Sequence, residues 1–377
     1  MNNSIQEQAF LNAFIQHQTY LHRASSQIVN ELWQIFSSHS NEMVLKLRDL
    51  LDELSEQEKI ALSGALYTTP KLKEVRSLIN EWFLSLSVAL PETFAVTAKA
   101  FAVYESLWLS KALNNPIKEP DGKKLYTKIR HKPLTGGALV DSLLENIATT
   151  ARQKVEYAIR DGINSGQTNY EIVKRIRGYD KTIDGKKVHF DGLIDQSFKD
   201  VDRVVRTARS HVSNQSYVYT WDALGFDFYK FFSVLDGRTS LLCASLDQTI
   251  WKKGDPNIRL PPLHPHCRSS LLGVDANGKI AGLRPFVADN RAVKQIPKDQ
   301  RDGKIGQVDA NTSYKDWFPH QSKEYQIGWL GKSRYELWKT GKYPIQRFID
   351  PLTDQKYTLK QLKEMDEKTF KELGLKV

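Results

Sequence analysis

The residues with the greatest chemical capacity in this 377-residue chain lie between Asp236 and Arg268. Both cysteines, Cys243 and Cys267, fall there, and the second closes the run Pro261-Pro262-Leu263-His264-Pro265-His266-Cys267-Arg268. Thiolate sulfur and imidazole nitrogen are donors that zinc prefers, and His264, Cys267 and a distant Cys243 supply three corners of a tetrahedron. His266, His211 and Asp236 are the candidates for the fourth. A disulfide between the two cysteines is a second reading. It closes a loop of about 25 residues and stabilises by about 3 kcal/mol on the chain-entropy model, but it requires an oxidising compartment. A third reading is two buried, reduced cysteines whose neighbouring histidines bond to backbone, because free cysteine is commonly buried. The residue types alone do not separate the three.

Local elements must hold these side chains in place. Pro261, Pro262 and Pro265 fix φ and lack amide donors, so the segment bearing His264 and Cys267 is expected to be extended and pre-ordered. Asp236-Gly237-Arg238 reads as a hairpin-type turn after the aromatic run Phe226 to Leu235, itself a strand by composition and alternation. Thr249 to Trp251 and Ser269 to Val274 offer partner strands, giving a small antiparallel lobe on the long helix Ile194 to Leu224.

The order "aromatic run, Asp236-x-Arg238-Thr239, Cys243, Leu246-Asp247, Pro261-Pro262-x-His264-Pro265-x-Cys267-Arg268" resembles the phage Mu F-like minor head proteins of tailed phages and prophages. Asp236, Arg238, Pro262 and Arg268 are the motif residues beside the three metal candidates. Many members carry two further cysteines where this chain has Ser240 and Ser269, so a four-thiolate site is not on offer here. A helix followed by Gly166-x-Thr168-x-x-Glu171-Ile172 also resembles the family, as does the Trp-rich C-terminal pattern from Tyr314. The resemblance implies a minor capsid or head-morphogenesis protein, inside the virion near the portal. It would be made in the host cytoplasm and take part in assembly, DNA packaging or delivery. The implied partners are portal and capsid proteins and double-stranded DNA, with neither a membrane nor a small-molecule substrate among them.

Composition agrees with such a setting. The formal charge is +10, which favours an anionic partner without specifying one. Hydrophobic residues make up 40% and charged residues 26%, the balance of an ordinary folded chain. No stretch reads as 18 uncharged apolar residues, and the first residues lack the basic and apolar blocks of a signal peptide, so neither a membrane span nor export is expected.

The expected fold is mainly α (α+β). It comprises a helical N-terminal bundle (1–115), a basic loop or arm (116–137), a head-protein domain (138–281), a linker or arm (282–312) and a Trp-rich helical module (313–377). Apolar residues at three- and four-residue steps predict helices over Ile5 to Phe36, Asn41 to Leu66, Pro70 to Leu90 and Pro91 to Leu113. In the arm, Lys123, Lys124, Lys128 and Arg130 are candidates for weak, non-specific DNA contact. Lys181 to Asp191 reads as a loop or hairpin insertion, and Thr168 or Asn169 and Thr358 as helix caps.

An enzyme is the alternative. His264, His266 and His211 with Asp236 or Asp247 could form a metal-dependent nuclease, hydrolase or toxin-related centre. The chain has no Gly-rich phosphate loop, nucleophile elbow or H-E-x-x-H pattern, and the expectation is therefore no catalysis and no cofactor other than zinc.

Overall fold

The computed structural model describes residues 2–291 and 293–376, with only the backbone considered for residues 2–5 and 22. It is 60% helical with small sheets, the mainly α, α+β class read from the sequence. The chain divides into two compact units, one formed by 20–103 with 120–212 and the other by 1–19, 104–119 and 213–377.

The first unit is built on α1 (Asn2–Asp52), α2 (Glu56–Ser63), α3 (Pro70–Ala112), α4 (Gly122–Arg130), α5 (Val140–Asn164) and α6 (Asn169–Arg177). The hairpin β1 (Gly178–Ile183) and β2 (Lys186–Asp191), then α7 (Leu193–Gln196) and α8 (Phe198–Ala223), follow. Two expected helix breaks do not occur. At Ser40 the hydroxyl donates to the Phe36 carbonyl at 2.6 Å and accepts from the Trp82 indole at 3.2 Å, so it is satisfied inside α1 instead of capping a new helix. At Pro91 the ring removes one backbone donor, a cost of about 3 kcal/mol in an isolated helix. Leu86, Leu90 and Phe94 are fully buried on that side of α3, and this packing carries the helix through. By length and composition α3 is also apolar enough to cross a bilayer, so the expectation that no stretch could do so is too strong.

The segment 116–137, expected as an exposed loop, contains α4. Asp121 caps it by accepting from the Lys124 amide at 2.9 Å, and Leu125, Tyr126 and Ile129 are buried at helical spacing. Charge had drawn the reading toward a solvated arm, whereas the apolar spacing decides the structure. Lys181 to Asp191 does form a hairpin, and Thr168 caps α6 in a reciprocal capping box with Glu171.

The second unit holds two three-stranded sheets. In one, β3 (Phe228–Phe232) lies between β5 (Ile250–Lys252) and β6 (Ser270–Val274), antiparallel to both, as the lobe was expected to be. In the other, β7 (Leu283–Val287) lies between β4 (Leu235–Asp236), to which it is parallel, and β8 (Ile305–Asp309), to which it is antiparallel. The stretch 282–312 thus contributes two paired strands, β7 and β8, rather than a linker. Pro285 is tolerated in its central strand because β4 pairs only with Phe286 and Val287. The short helix α9 (Leu241–Leu246) sits between β4 and β5. The C-terminal helices are α10 (Tyr314–Trp317), α11 (Lys323–Leu330), α12 (Lys332–Lys339), α13 (Leu359–Met365) and α14 (Glu367–Glu372). They enclose Trp317, Phe318, Tyr325, Leu337 and Phe348, against which Trp329 and Trp338 pack. Thr358 caps α13 as expected, but Asp366 interrupts the final helix and caps α14.

Candidate metal centre in the cysteine-histidine lobe

Ser240 begins the site by capping α9. Its hydroxyl accepts from the Cys243 amide at 3.2 Å, which sets Cys243 on the first turn with its sulfur buried. The expected hairpin at Asp236-Gly237-Arg238 is instead a turn from β4 into this helix, held by the Arg238 and Thr239 amides on Asp236. Gly237 is needed for close approach and not for its φ, since a Cβ there would lie 2.7 Å from the Asn290 side-chain oxygen. On the facing segment the proline run is not extended throughout. The Cys267 amide donates to the His264 carbonyl at 3.1 Å, and His266 takes φ 57° to close the turn. That turn is what brings the His264 ring and the Cys267 sulfur to the same side.

The three donor atoms converge. Cys243 Sγ lies 3.7 Å from Cys267 Sγ and 3.2 Å from His264 Nε2, and all three ligand atoms fall within 4.8 Å of one another. A tetrahedral zinc with ordinary bond lengths spaces two sulfurs by about 3.8 Å and a sulfur and nitrogen by about 3.6 Å. The residues therefore fit zinc with small adjustments. His264 Nδ1 lies 2.8 Å from the Pro265 carbonyl, which can only accept, so the proton sits on Nδ1 and Nε2 turns its lone pair toward the sulfurs.

The three groups also act on one another electrostatically. Cys267 is held well below the usual thiol range because Cys243 donates a hydrogen bond to it, with His264 adding to the effect against the penalty of burial. Cys243 is pushed up for the complementary reason, as the donor in that bond and as a buried group. Burial opposes charge on His264, but the Cys267 sulfur outweighs it and the net shift is upward. The two sulfurs are not bonded to each other, at a spacing that oxidation could close only by drawing them together.

The candidate fourth ligands fare differently. Asp236 is 4% exposed, and its two oxygens accept from Arg268 at 2.6 and 2.7 Å and from Arg238 at 3.2 Å. Its carboxyl stays below the usual range: burial pushes it up, and the Arg268 bonds more than offset that. It is a staple between β4 and the His264–Cys267 turn and is not free to ligate. His211 lies in the first unit, buried, with Nε2 3.4 Å from the Ile129 carbonyl, and burial pushes it down to about 4. His266 is exposed and lines the same shallow opening as Ser240, Cys243, His264 and Ser269, a space of about 10 Å³ that admits one water-sized atom. Ser240 Oγ stands 2.9 Å from His264 Nε2 and, like Ser269, bonds toward the Cys243 sulfur. The two serines thus border the sulfurs at the very positions where the family resemblance puts additional cysteines.

Sequence reasoning missed a second buried centre. Asp247 is fully buried and accepts from Arg284 at 3.0 Å and from the amides of Ser233 and Tyr314, each at 2.8 Å. Arg284, 1% exposed, also donates to the Ser233 and Thr312 carbonyls and lies over the Phe232 ring. This knot ties the lobe to β7 and to the C-terminal helices. Only the lone charge in Leu283-Arg284-Pro285-Phe286-Val287 could have signalled it.

Of the DNA-contact candidates, Lys123, Lys124 and Lys128 are exposed on α4, while Arg130 is drawn into an ion pair with Asp141. Pro262 is buried beside the lobe.

Comparison with known proteins bears on this geometry. No curated protein and no solved structure matches the chain. The family model described as "Phage Mu protein F like protein" matches residues 153–272, from α5 to β6, and so includes Asp236, Cys243, His264, Cys267 and Arg268. The match stops before the C-terminal module. Over residues 153–272, then, the chain is similar to the Phage Mu protein F like family.

Proposed function

We propose that this chain is a minor head protein of a tailed bacteriophage, positioned inside the head near the portal, where it serves assembly, packaging or delivery of DNA. The observation that carries the reading is the family match across 153–272, a family that implies head morphogenesis. The way polar groups are spent supports an assembly part over a catalyst. Asp236 and Asp247, the carboxylates a metal hydrolase would use, are each held by an arginine and backbone amides. In this reading Cys243, His264 and Cys267 hold a structural zinc that staples α9 to the His264–Cys267 turn, with Ser240 beside the remaining corner. When bound, the ion supplies cross-linking of the kind small lobes use in place of a larger core. The charge of +10 and the three exposed lysines of α4 suit non-specific contact with DNA phosphates.

The test is light scattering on size-exclusion peaks of the full chain, alone and mixed with a tailed-phage portal protein, with metal analysis of the same fractions. Co-elution at fixed stoichiometry is expected. Absence of association together with metal-dependent cleavage of nucleic acid would replace this reading with the enzymatic one.

A further inference from the structure

The β1–β2 hairpin carries an apolar face that stays exposed. Its register pairs Tyr179 with Phe190, Lys181 with Val188 and Ile183 with Lys186, so these six side chains share one face, while Asp180, Thr182, Lys187 and His189 share the other. The four apolar members are 37–40% exposed, and the Tyr179 and Phe190 rings stack at 5.0 Å. Only cations punctuate this face. Lys181 and Lys186 sit within it, and Lys174 of α6 extends it by lying over the rings of both Tyr170 and Tyr179.

The hairpin is also fixed in direction. An isolated two-stranded hairpin is marginal in water, and here the polar face is the anchored one. His189 bridges Asp180 at 2.6 Å and Asp195 of α7 at 3.1 Å, and Asp195 further accepts from the Gly192 amide at 2.9 Å. At the root the strands pass so close that a Cβ on Gly192 would lie 2.1 Å from the Gly178 nitrogen. The sheet contains β1 and β2 alone, so both outer edges carry backbone donors and acceptors without a neighbouring strand.

We propose that this hairpin is a docking element for another protein, and that its occupant is an extended segment added as a strand at the hairpin edge, whose every second residue is by turns aliphatic and acidic so that both kinds fall on this face. Open edges supply main-chain hydrogen bonds, and the face supplies apolar contact and positive charge. Charge disfavours a symmetric second copy, because face-to-face pairing would gather the Lys181 and Lys186 cations of both copies in one interface, and six side chains fall well short of the roughly 800 Å² per partner of a standing dimer. A nucleic acid is disfavoured because the two aromatic rings are spent on each other and Ile183 and Val188 give bases no stacking surface. The inference does not depend on the head-protein reading.

The experiment measures binding of the full chain to a fluorescent peptide of about nine residues with valine and aspartate by turns at its odd positions and serine between, and to the same peptide with lysine for aspartate. The acidic peptide is expected to bind at least about tenfold more tightly, and the double variant Lys181→Glu, Lys186→Glu to reverse that preference. Thr182→Lys, on the anchored face, should leave both affinities unchanged, and circular dichroism checks that each variant is folded. Equal affinity for the two peptides, no detectable binding, or insensitivity to the double variant overturns the proposal. So does tighter binding of a single-stranded oligonucleotide at the same face, or concentration-dependent dimerisation that Val188→Asp abolishes.

Discussion

The cysteine-histidine lobe and the β1–β2 hairpin use the same kinds of side chain to opposite ends. In the lobe, Asp236, Asp247, Arg268 and Arg284 are buried or largely so, and each makes several charge-assisted hydrogen bonds within the chain. In the hairpin, Lys181 and Lys186 are exposed on an apolar face, and Asp180 and His189 hold only its root. A buried charge must be paired where it stands because desolvation is costly, so its partners are read as architecture. An exposed charge set in apolar surface has no such obligation and remains available to something outside the chain.

That contrast can be broken most readily at the Asp247–Arg284 knot. Arg284→Ala leaves a buried carboxylate without its cation, and a loss of about 3–5 kcal/mol in urea unfolding is expected. A loss below about 1 kcal/mol would mean that Asp247 is satisfied by its two amides alone. Next in size is His211, whose ring burial keeps neutral down to about 4. The unfolded chain takes up a proton near pH 6.5 and the folded chain does not until about 4, so stability falls as pH drops through that window, by about 3 kcal/mol in all. His211→Gln should flatten that slope in a stability profile against pH, and an unchanged slope would assign it to other groups.

The lobe itself is tested by metal. At zinc about a hundredfold above its dissociation constant the wild type should gain about 2.7 kcal/mol over its chelated form. Cys267→Ser should lose both the bound metal and the gain, and equal stability with and without chelator would favour the two reduced cysteines alone. The hairpin marks the other end of the scale: Lys181→Glu with Lys186→Glu should change unfolding free energy by less than about 0.5 kcal/mol. A larger cost would show that the cations serve the fold and not a partner.

Much of this was legible in order along the chain. The capping boxes at Thr168 and Thr358, the strands around Phe228 and Ser270, and the joint placement of Cys243, His264 and Cys267 all follow from local chemistry. Where local signals competed, the reading went astray. Lysines at 123, 124 and 128 suggested an arm, although Leu125, Tyr126 and Ile129 make the same residues a docked helix. Pro91 and Ser40 resembled boundaries, yet packing of Leu90 and Phe94 and the Trp82 bond to Ser40 run the helices on.

By itself the sequence determined the donor set, the resemblance of 153–272 to its family and several helix starts, because each rests on residue type at short spacing. Only the tertiary structure decided that Asp236 is a staple and no ligand, that His211 belongs to another unit, and that Arg284 closes on Asp247 from 37 residues away. Those outcomes turn on which charges are removed from water together, and a buried charge finds its partner by burial and not by distance along the chain.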